Sequence, residues 1–276
     1  MQIKPQQIKQ SSITIDLEIS QPEIAEAKTK ALKTLGKSAA IKGFRPGKAP
    51  LSLLDQNLDP DKVKHQTLHQ LLDKIIPKII ADQKLKLVGN PQLSQLNNPS
   101  DKPWTITLNF PLLPKINLGN YKKLIKENIA KDKSKFNKLN RDQKINQILD
   151  ILLKNIDFEI PQSLIDQKVN RSLSRLIEQT QSLGLTIEKY LTSINKTVEN
   201  VKNEYFQKAL ESLKTELILL EIAKDRKVNV TQTEIDKFIK GIGDQKIIAK
   251  LKSDSERPFL ESLLLKRFAI DELLKI

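Results

Sequence analysis

The chain has 276 residues, of which 38% are hydrophobic, 4% aromatic and 29% charged, a composition typical of a soluble, helix-rich protein of one or two domains. It contains no cysteine, which excludes disulfide frameworks and thiolate metal sites, and no apolar run long enough to span a membrane. The formal net charge is +14 and is unevenly placed: residues 112–140 hold 8 Lys or Arg against 2 Asp or Glu, whereas residues 141–276 hold 23 against 21.

The chain begins without the apolar segment of a signal peptide, so we expect a cytoplasmic protein. The first regular element lies at residues 13–19, where apolar and polar residues alternate as in a half-buried strand. Ser20 and Glu23 have the spacing of a capping box, which predicts that a helix begins there. Gly36 is placed to end that helix.

The segment after this helix combines several residue types that are typical of a binding loop. Two glycines permit positive φ angles, two prolines stiffen the backbone, and a phenylalanine stands beside two cations. An aromatic residue next to arginine is a frequent hot spot at interfaces, and arginine also suits bidentate capture of phosphate or carboxylate. The alternative is a plain surface turn whose phenylalanine packs into its own domain. The candidate site residues are Gly43, Phe44, Arg45, Pro46, Gly47, Lys48 and Pro50.

A second helical region is predicted at residues 51–82, where Pro77 is expected to kink or split the helix. Residues 104–110 alternate again and form the last predicted strand of this part of the chain. The order strand, helix, loop, helix, strand indicates an α+β domain at residues 1–114.

The connection that follows is rich in lysine, and we interpret residues 115–140 as a basic linker. Apolar residues then recur at helical spacing, which predicts an all-α domain at residues 141–276. Pro161 is expected to start one of its helices, and residues 196–224 form one helix long enough to suit an extended arm. The expected fold class is an α+β domain followed by an extended all-α domain with arms.

The motif Gly-Phe-Arg-x-Gly-Lys-x-Pro at residues 43–50 resembles the ribosome-binding signature of the trigger factor family, bacterial chaperones that sit over the ribosomal exit tunnel. Residue 46 is proline here, where some members carry lysine, so the loop has one cation fewer. Residues 111–123 and 157–166 resemble the linker and the first arm of the same family. The resemblance covers nearly the whole chain.

This resemblance implies a chaperone whose loop docks on large-subunit protein and RNA, and whose arms shield unfolded or nascent polypeptides through non-directional apolar contacts. No Walker loop is present, so we expect no nucleotide cofactor and an ATP-independent holdase. The family also carries an FKBP-type prolyl isomerase domain, for which residues 128–140 leave no room, so we expect no enzymatic activity. Relatives can dimerise, which allows a homodimer of the free protein. The candidate client contacts are Leu173, Leu176, Leu183, Phe206, Leu210 and Leu213.

Several alternatives stay open from the sequence. A prolyl isomerase needs an aromatic-lined pocket, whereas the few aromatic residues are scattered. A free RNA-binding protein would use the basic first half, which lacks interleaved aromatics for stacking. A periplasmic chaperone with similar arms needs a signal peptide. A metal site would use His65 and His69, which have helical ligand spacing but no evident third ligand, so an exposed helix face is the better interpretation and no metal is expected.

Overall fold

The computed structural model describes residues 2–9, 11–99, 102–251, 253 and 256–276. The chain divides into two compact units, Met1–Leu113 and Pro114–Ile276. The first unit combines a sheet with helices and the second is built from helices, so the predicted order of an α+β domain followed by an all-α domain is confirmed. Among the described residues, no helix is both long enough and apolar enough to cross a lipid bilayer.

The first unit contains a four-stranded antiparallel sheet. Its strands are β1 (Gln2–Lys9), β2 (Ser12–Ile19), β3 (Gln92–Asn97) and β4 (Trp104–Pro111). The order across the sheet is β1-β2-β4-β3, so the two strands that the alternation predicts are the central ones. Their inward-facing side chains, such as Ile15 and Ile106, are fully buried. The sequence does not predict the two edge strands, because their polar residues favour a strand only through pairing with β2 and β4.

Three helices belong to this unit. They are α1 (Gln21–Gly36), α2 (Leu51–Asn57) and α3 (Pro60–Asp82). Helix α1 begins at the predicted capping box, in which the backbone N–H of Ser20 donates to Glu23 Oε2 at 3.1 Å. Helices α1 and α3 pack on the sheet. The buried residues of this core are Ile13, Ile15, Leu17, Ile19, Ile24, Ala27, Leu71, Ile75, Ile79, Trp104, Ile106, Leu108 and Phe110.

The break within residues 51–82 lies at a different place from the one predicted. Helix α3 continues through Pro77, which is exposed, so water can satisfy the carbonyl that lacks its intrahelical donor. The chain breaks instead before Pro60, where the Asp59 side chain accepts a hydrogen bond of 3.0 Å from the backbone N–H of Asp61. An Asp cap followed by proline in the first turn is a strong helix start.

The second unit consists of nine helices in the described part of the chain. They are α4 (Tyr121–Ala130), α5 (Lys133–Lys138), α6 (Arg141–Asn155), α7 (Gln162–Ser182), α8 (Ile187–Ser193), α9 (Val198–Asp225), α10 (Gln232–Lys240), α11 (Gln245–Leu251) and α12 (Arg257–Leu273). The stretch interpreted as a basic linker, residues 115–140, is largely helical, and Tyr121 and Ile125 of α4 are buried in this unit. The tripartite domain division stays a prediction.

The main core of the second unit joins α4, α6, the second half of α9 and α12. Its fully buried members include Ile125, Leu152, Ile218 and Ile222. Helices α7 and α8 pack on the first half of α9 and form what we call the α7–α9 hairpin. This hairpin holds only two small buried clusters. One contains Ile160, Ile165, Val169 and Ala209, and the other contains Leu176, Leu191 and Val201.

Candidate functional site

The 43–50 loop connects α1 to α2 and is built from two consecutive turns. The backbone N–H of Phe44 donates to the carbonyl of Ile41 at 3.0 Å, which closes the first turn. Gly43 is the third residue of this turn and has φ +85°. A positive φ at the third position is the signature of a type II turn, which strongly favours glycine there.

The second turn repeats the same geometry. The backbone N–H of Lys48 donates to the carbonyl of Arg45 at 3.0 Å, and Gly47 has φ +81° at the third position. Pro46 occupies the second position, where its fixed φ matches a type II turn. Compared with a lysine at this position, Pro46 therefore stiffens the turn but removes one positive charge.

The loop is tied to the helices behind it. The backbone N–H of Gly47 donates to the carbonyl of Gly36, the last residue of α1, at 2.9 Å. This bond satisfies one of the carbonyls that a helix end leaves without a donor. A small apolar cluster lies beneath the loop, with Leu32, Leu54 and Val63 buried at its centre. Both contacts restrict where the loop can present its side chains.

All seven candidate residues of the loop are exposed. The Phe44 side chain retains 40% exposure and does not belong to the cluster beneath the loop, which argues against a phenylalanine packed into its own domain. An exposed phenylalanine can bind an apolar pocket on a protein, and the neighbouring cations can bind phosphate groups on RNA.

The electrostatic surroundings of the loop are one-sided. Residues 27–54 contain seven Lys or Arg and no Asp or Glu. The acidic residues that bound this stretch, Glu26 and Asp55, already pair with Lys30 and Lys28 at 2.7 and 2.8 Å. The cations of the loop are therefore available to an anionic partner.

The structure separates the six candidate client contacts of the second unit. Leu176 is only 9% exposed in the second small cluster, so it is not part of the exposed surface of the folded hairpin. Leu183 is 74% exposed just beyond the end of α7. The remaining four are half-buried along the α7–α9 hairpin. They are Leu173, Phe206, Leu210 and Leu213.

Four other exposed apolar residues, which the sequence analysis does not single out, lie near Leu183 in the sequence of the α7–α9 hairpin. Together they form what we call the apolar tip, made of Ile177, Leu183, Leu185, Ile194 and Val198. These residues lie where α7 ends, α8 ends and α9 begins. Sequence spacing does not distinguish them from core residues, whereas their exposed fractions, from 37% for Ile194 to 74% for Leu183, do.

Polar contacts hold the base of the α7–α9 hairpin together. The Lys168 ammonium donates to Ser212 Oγ at 2.7 Å and to Glu216 Oε1 at 2.8 Å. The Lys214 ammonium donates to Asp157 Oδ1 at 2.9 Å, and this hydrogen bond holds the pKa of the Asp157 carboxyl below its usual value. Asp157 is exposed, so the contribution of this pair to stability is small.

The histidine pair does not form a metal site in the described part of the chain. His69 Nδ1 lies 2.8 Å from Asp73 Oδ2, and both side chains are exposed. Within the described residues no group of three or more His, Cys, Asp or Glu is arranged to hold a metal ion.

Family comparisons cover the whole length of the chain. A family model described as bacterial trigger factor protein (TF) matches residues 1–148, and one described as bacterial trigger factor protein (TF) C-terminus matches residues 117–275. The two matches overlap at residues 117–148, so no segment separates them in this chain.

Curated relatives agree with these matches. The trigger factor of Caldicellulosiruptor saccharolyticus is 27% identical over 145 residues, and that of Finegoldia magna is 27% identical over 165 residues. The alignments cover 50% and 57% of this chain but only 33% and 37% of the relatives, so the chain matches about a third of their length. The trigger factor of Rickettsia prowazekii is 30% identical over 119 residues, which is 42% of this chain and 26% of the relative.

A solved structure shares the fold. It comes from work on promiscuous substrate recognition in folding and assembly activities of the trigger factor chaperone. It superposes with a TM-score of 0.67, at 14% sequence identity, over 100% of this chain and 99% of that one. At this identity the likeness supports the fold alone.

Proposed function

Because the chain belongs to the trigger factor family, we propose that it is an ATP-independent chaperone that docks at the ribosomal exit tunnel and shields emerging polypeptides. The observation that carries this proposal is the 43–50 loop, in which two type II turns hold an exposed Phe44 beside Arg45 and Lys48, for which the described residues provide no ion-pair partner. The proposed location is the cytoplasm, where ribosomes are found.

Docking on the ribosome fits the two chemistries of the loop. Phe44 supplies an apolar anchor for a pocket on a large-subunit protein. Arg45 and Lys48 supply charge for the phosphates of the neighbouring RNA. The bond between Gly47 and Gly36 keeps these groups in place before binding, which lowers the ordering cost of association.

Client shielding fits the second unit. The apolar tip and the half-buried residues of the α7–α9 hairpin offer apolar surface. Contacts of this kind are non-directional, so they suit polypeptides of many sequences. Half-buried Phe206 and exposed Leu183 are the client contacts that we propose first.

We also propose that the chain does not act as a prolyl isomerase. The overlap of the two family matches supports this, because it leaves no intervening segment for an isomerase domain. The test is a chromogenic proline-peptide assay with the purified chain. Turnover above the uncatalysed rate that rises with protein concentration would contradict the proposal. Sedimentation velocity of the free protein tests the homodimer that its relatives suggest.

The docking proposal is tested by co-sedimentation with bacterial ribosomes in moderate salt. The test variant is Phe44→Ala/Arg45→Ala in the 43–50 loop. The matched control is Phe259→Ala/Arg257→Ala, which removes an exposed phenylalanine and an exposed arginine from α12 in the other unit. We expect the wild type and the control to pellet with ribosomes and the loop variant to stay in solution.

Other outcomes separate the alternatives. If the loop variant pellets as well as the wild type, another surface carries the binding, and the lysines of residues 122–138 become the first candidate for RNA contact. If no form pellets, docking is wrong. Suppression of client aggregation would then show whether a chaperone that acts away from the ribosome is the better description.

A further inference from the structure

Strand β3 lies at one edge of the sheet and carries two leucines on the same face. Leu93 is paired with Leu108 of β4, and Leu96 is paired with Ile106. Residues three apart in a regular strand face opposite sides, but the register shifts between Leu93 and Gln95. This bulge at Ser94 places both leucines opposite core-facing residues, so both point to the side of the sheet that the helices cover.

The helices stop short of this edge. Leu108 and Ile106 are buried, whereas Leu93 is 43% exposed and Leu96 is 37% exposed. The apolar face of the sheet therefore continues past the helices and ends in two uncovered leucines. The open edge of the sheet therefore presents apolar side chains that the described residues leave partly exposed.

The backbone of β3 is open on its outer side. In the described residues β3 pairs only with β4, and no other backbone hydrogen bond reaches residues 92–97. Exposed edges in natural proteins are usually protected from further pairing by charges, proline or β-bulges, and of these β3 carries only the bulge at Ser94. Residues 87–100 contain no charged residue, although 29% of the whole chain is charged, and no proline lies within β3 itself.

We propose that β3 binds an extended segment of unfolded polypeptide by strand addition. The segment pairs its backbone with the outer edge of β3 and places alternate side chains against Leu93 and Leu96. Main-chain pairing makes little demand on sequence, which suits a chaperone. The nature of this ligand rests on the proposed function.

Charge and size both favour this occupant. The edge is neutral, so it offers nothing to the phosphates of RNA. Strand β3 has six residues, which span about 20 Å. An edge of that length cannot by itself bury the ~1,000 Å² expected of a stable interface with a second copy of the chain. A short edge suits a weak, exchangeable contact with a flexible segment.

The test uses a short, neutral peptide of alternating valine and threonine and the full chain. Hydrogen–deuterium exchange reports which amides the peptide protects, and fluorescence anisotropy reports affinity. We expect new protection within residues 92–97. A matched peptide with an N-methyl group on every amide should bind about thirtyfold more weakly or worse, because neither of its edges can donate the two or more hydrogen bonds, worth ~1 kcal/mol each, that pairing with β3 requires.

Two variants of the chain test which face of β3 the peptide contacts. Leu93→Lys/Leu96→Lys adds charge to the apolar side of β3 and should abolish peptide binding. Gln95→Ser/Asn97→Ser changes two residues of the same strand without adding charge, at positions paired with Thr107 and Thr105 on the solvent side. This control should retain most of the binding. Thermal melting confirms that both variants fold.

Each contrary outcome is informative. Protection confined to the helical unit, equal binding of the N-methylated peptide, or full binding by Leu93→Lys/Leu96→Lys would overturn strand addition. Aggregation of a denatured test protein separates this result from the proposed function. If the wild type suppresses aggregation without protection of β3, the chaperone proposal stands and strand addition is wrong. If β3 is protected but aggregation is unaffected, the chaperone proposal fails instead.

Discussion

The backbone N–H of Gly47 donates a 2.9 Å hydrogen bond to the carbonyl of Gly36, so the tip of an exposed loop is fastened to the end of α1. In a type II turn the N–H of the third residue points away from the turn, which frees it for this bond. The proposed positions of Phe44, Arg45 and Lys48 therefore depend on the backbone conformation of Gly47 and on its bond to Gly36.

Gly47→Ala is expected to weaken ribosome docking. The nearest atom to an added Cβ is Lys37 Cα at 3.8 Å, so the methyl group fits, but φ +81° is unfavourable for alanine by about 1 kcal/mol. If docking requires this turn, co-sedimentation affinity should fall about fivefold. Gly243→Ala is the control, because Gly243 is exposed, has open space around it and lacks a positive φ. Equal docking by both variants would show that the turn is not needed.

Pro46→Lys is expected to change the salt dependence of docking. The added cation should steepen the plot of log affinity against log salt by about one unit, as one further phosphate contact does. Loss of the proline also loosens the turn, so binding should be tighter than wild type in low salt and weaker in high salt. Gln83→Lys adds the same charge just beyond the end of α3. A slope change of the same size in that control would assign the effect to net charge.

Leu183→Ser/Val198→Ser is expected to weaken client shielding without weakening the fold. Both side chains are at least 70% exposed, so the change in stability should stay within about 0.5 kcal/mol. Suppression of aggregation of a denatured test protein should decline. Leu176→Ala, in the same hairpin but buried, should instead lower stability by about 2–3 kcal/mol. Unchanged aggregation kinetics in the double variant would remove the apolar tip from the client surface.

Tyr121→Phe is expected to remove an alkaline transition in stability. Burial raises the pKa of Tyr121 from 10.0 to about 12, with a smaller contribution from the hydrogen bond of 2.8 Å that its hydroxyl donates to Asp225. The unfolded chain then loses the phenolic proton first, so this contribution is complete below pH 10 and is lost as the pH rises towards 12.

The measurement is thermal melting across that alkaline range. Wild type should lose more stability than Tyr121→Phe between pH 10 and about 12. Below this range Tyr121→Phe should be less stable by about 1 kcal/mol, because Asp225 loses its donor. Tyr190→Phe serves as the control for loss of a tyrosine hydroxyl elsewhere. Parallel curves for wild type and Tyr121→Phe would show that this tyrosine does not titrate as described.

The parts of the fold that the sequence predicts are those with local signals. Residues 13–19 alternate because one face of β2 is buried, and the 43–50 loop carries its own glycines at the positions that need positive φ. The edge strand β3 has no such pattern. It exists because β4 offers it a partner, which is a contact distant in sequence.

Burial of the leucines in the α7–α9 hairpin is equally non-local. Leu176 and Leu183 are seven residues apart, a spacing that places both on one face of a continuous helix. One is buried against Leu191 and Val201 and the other is 74% exposed, because α7 ends at Ser182 before Leu183 is reached. Helical periodicity alone predicts the same burial for Leu176 and Leu183. The position at which α7 ends explains why Leu176 is a core residue and Leu183 is a candidate client contact.

The two small clusters of the α7–α9 hairpin also bear on its response to heat. The outer cluster has three buried side chains among the described residues and shares none of them with the main core of the unit, so we expect it to open before that core does. Opening would add Leu176, Leu191 and Val201 to the exposed apolar surface. The capacity of the hairpin for unfolded chains should therefore increase with temperature, at the moment when unfolded chains become more abundant.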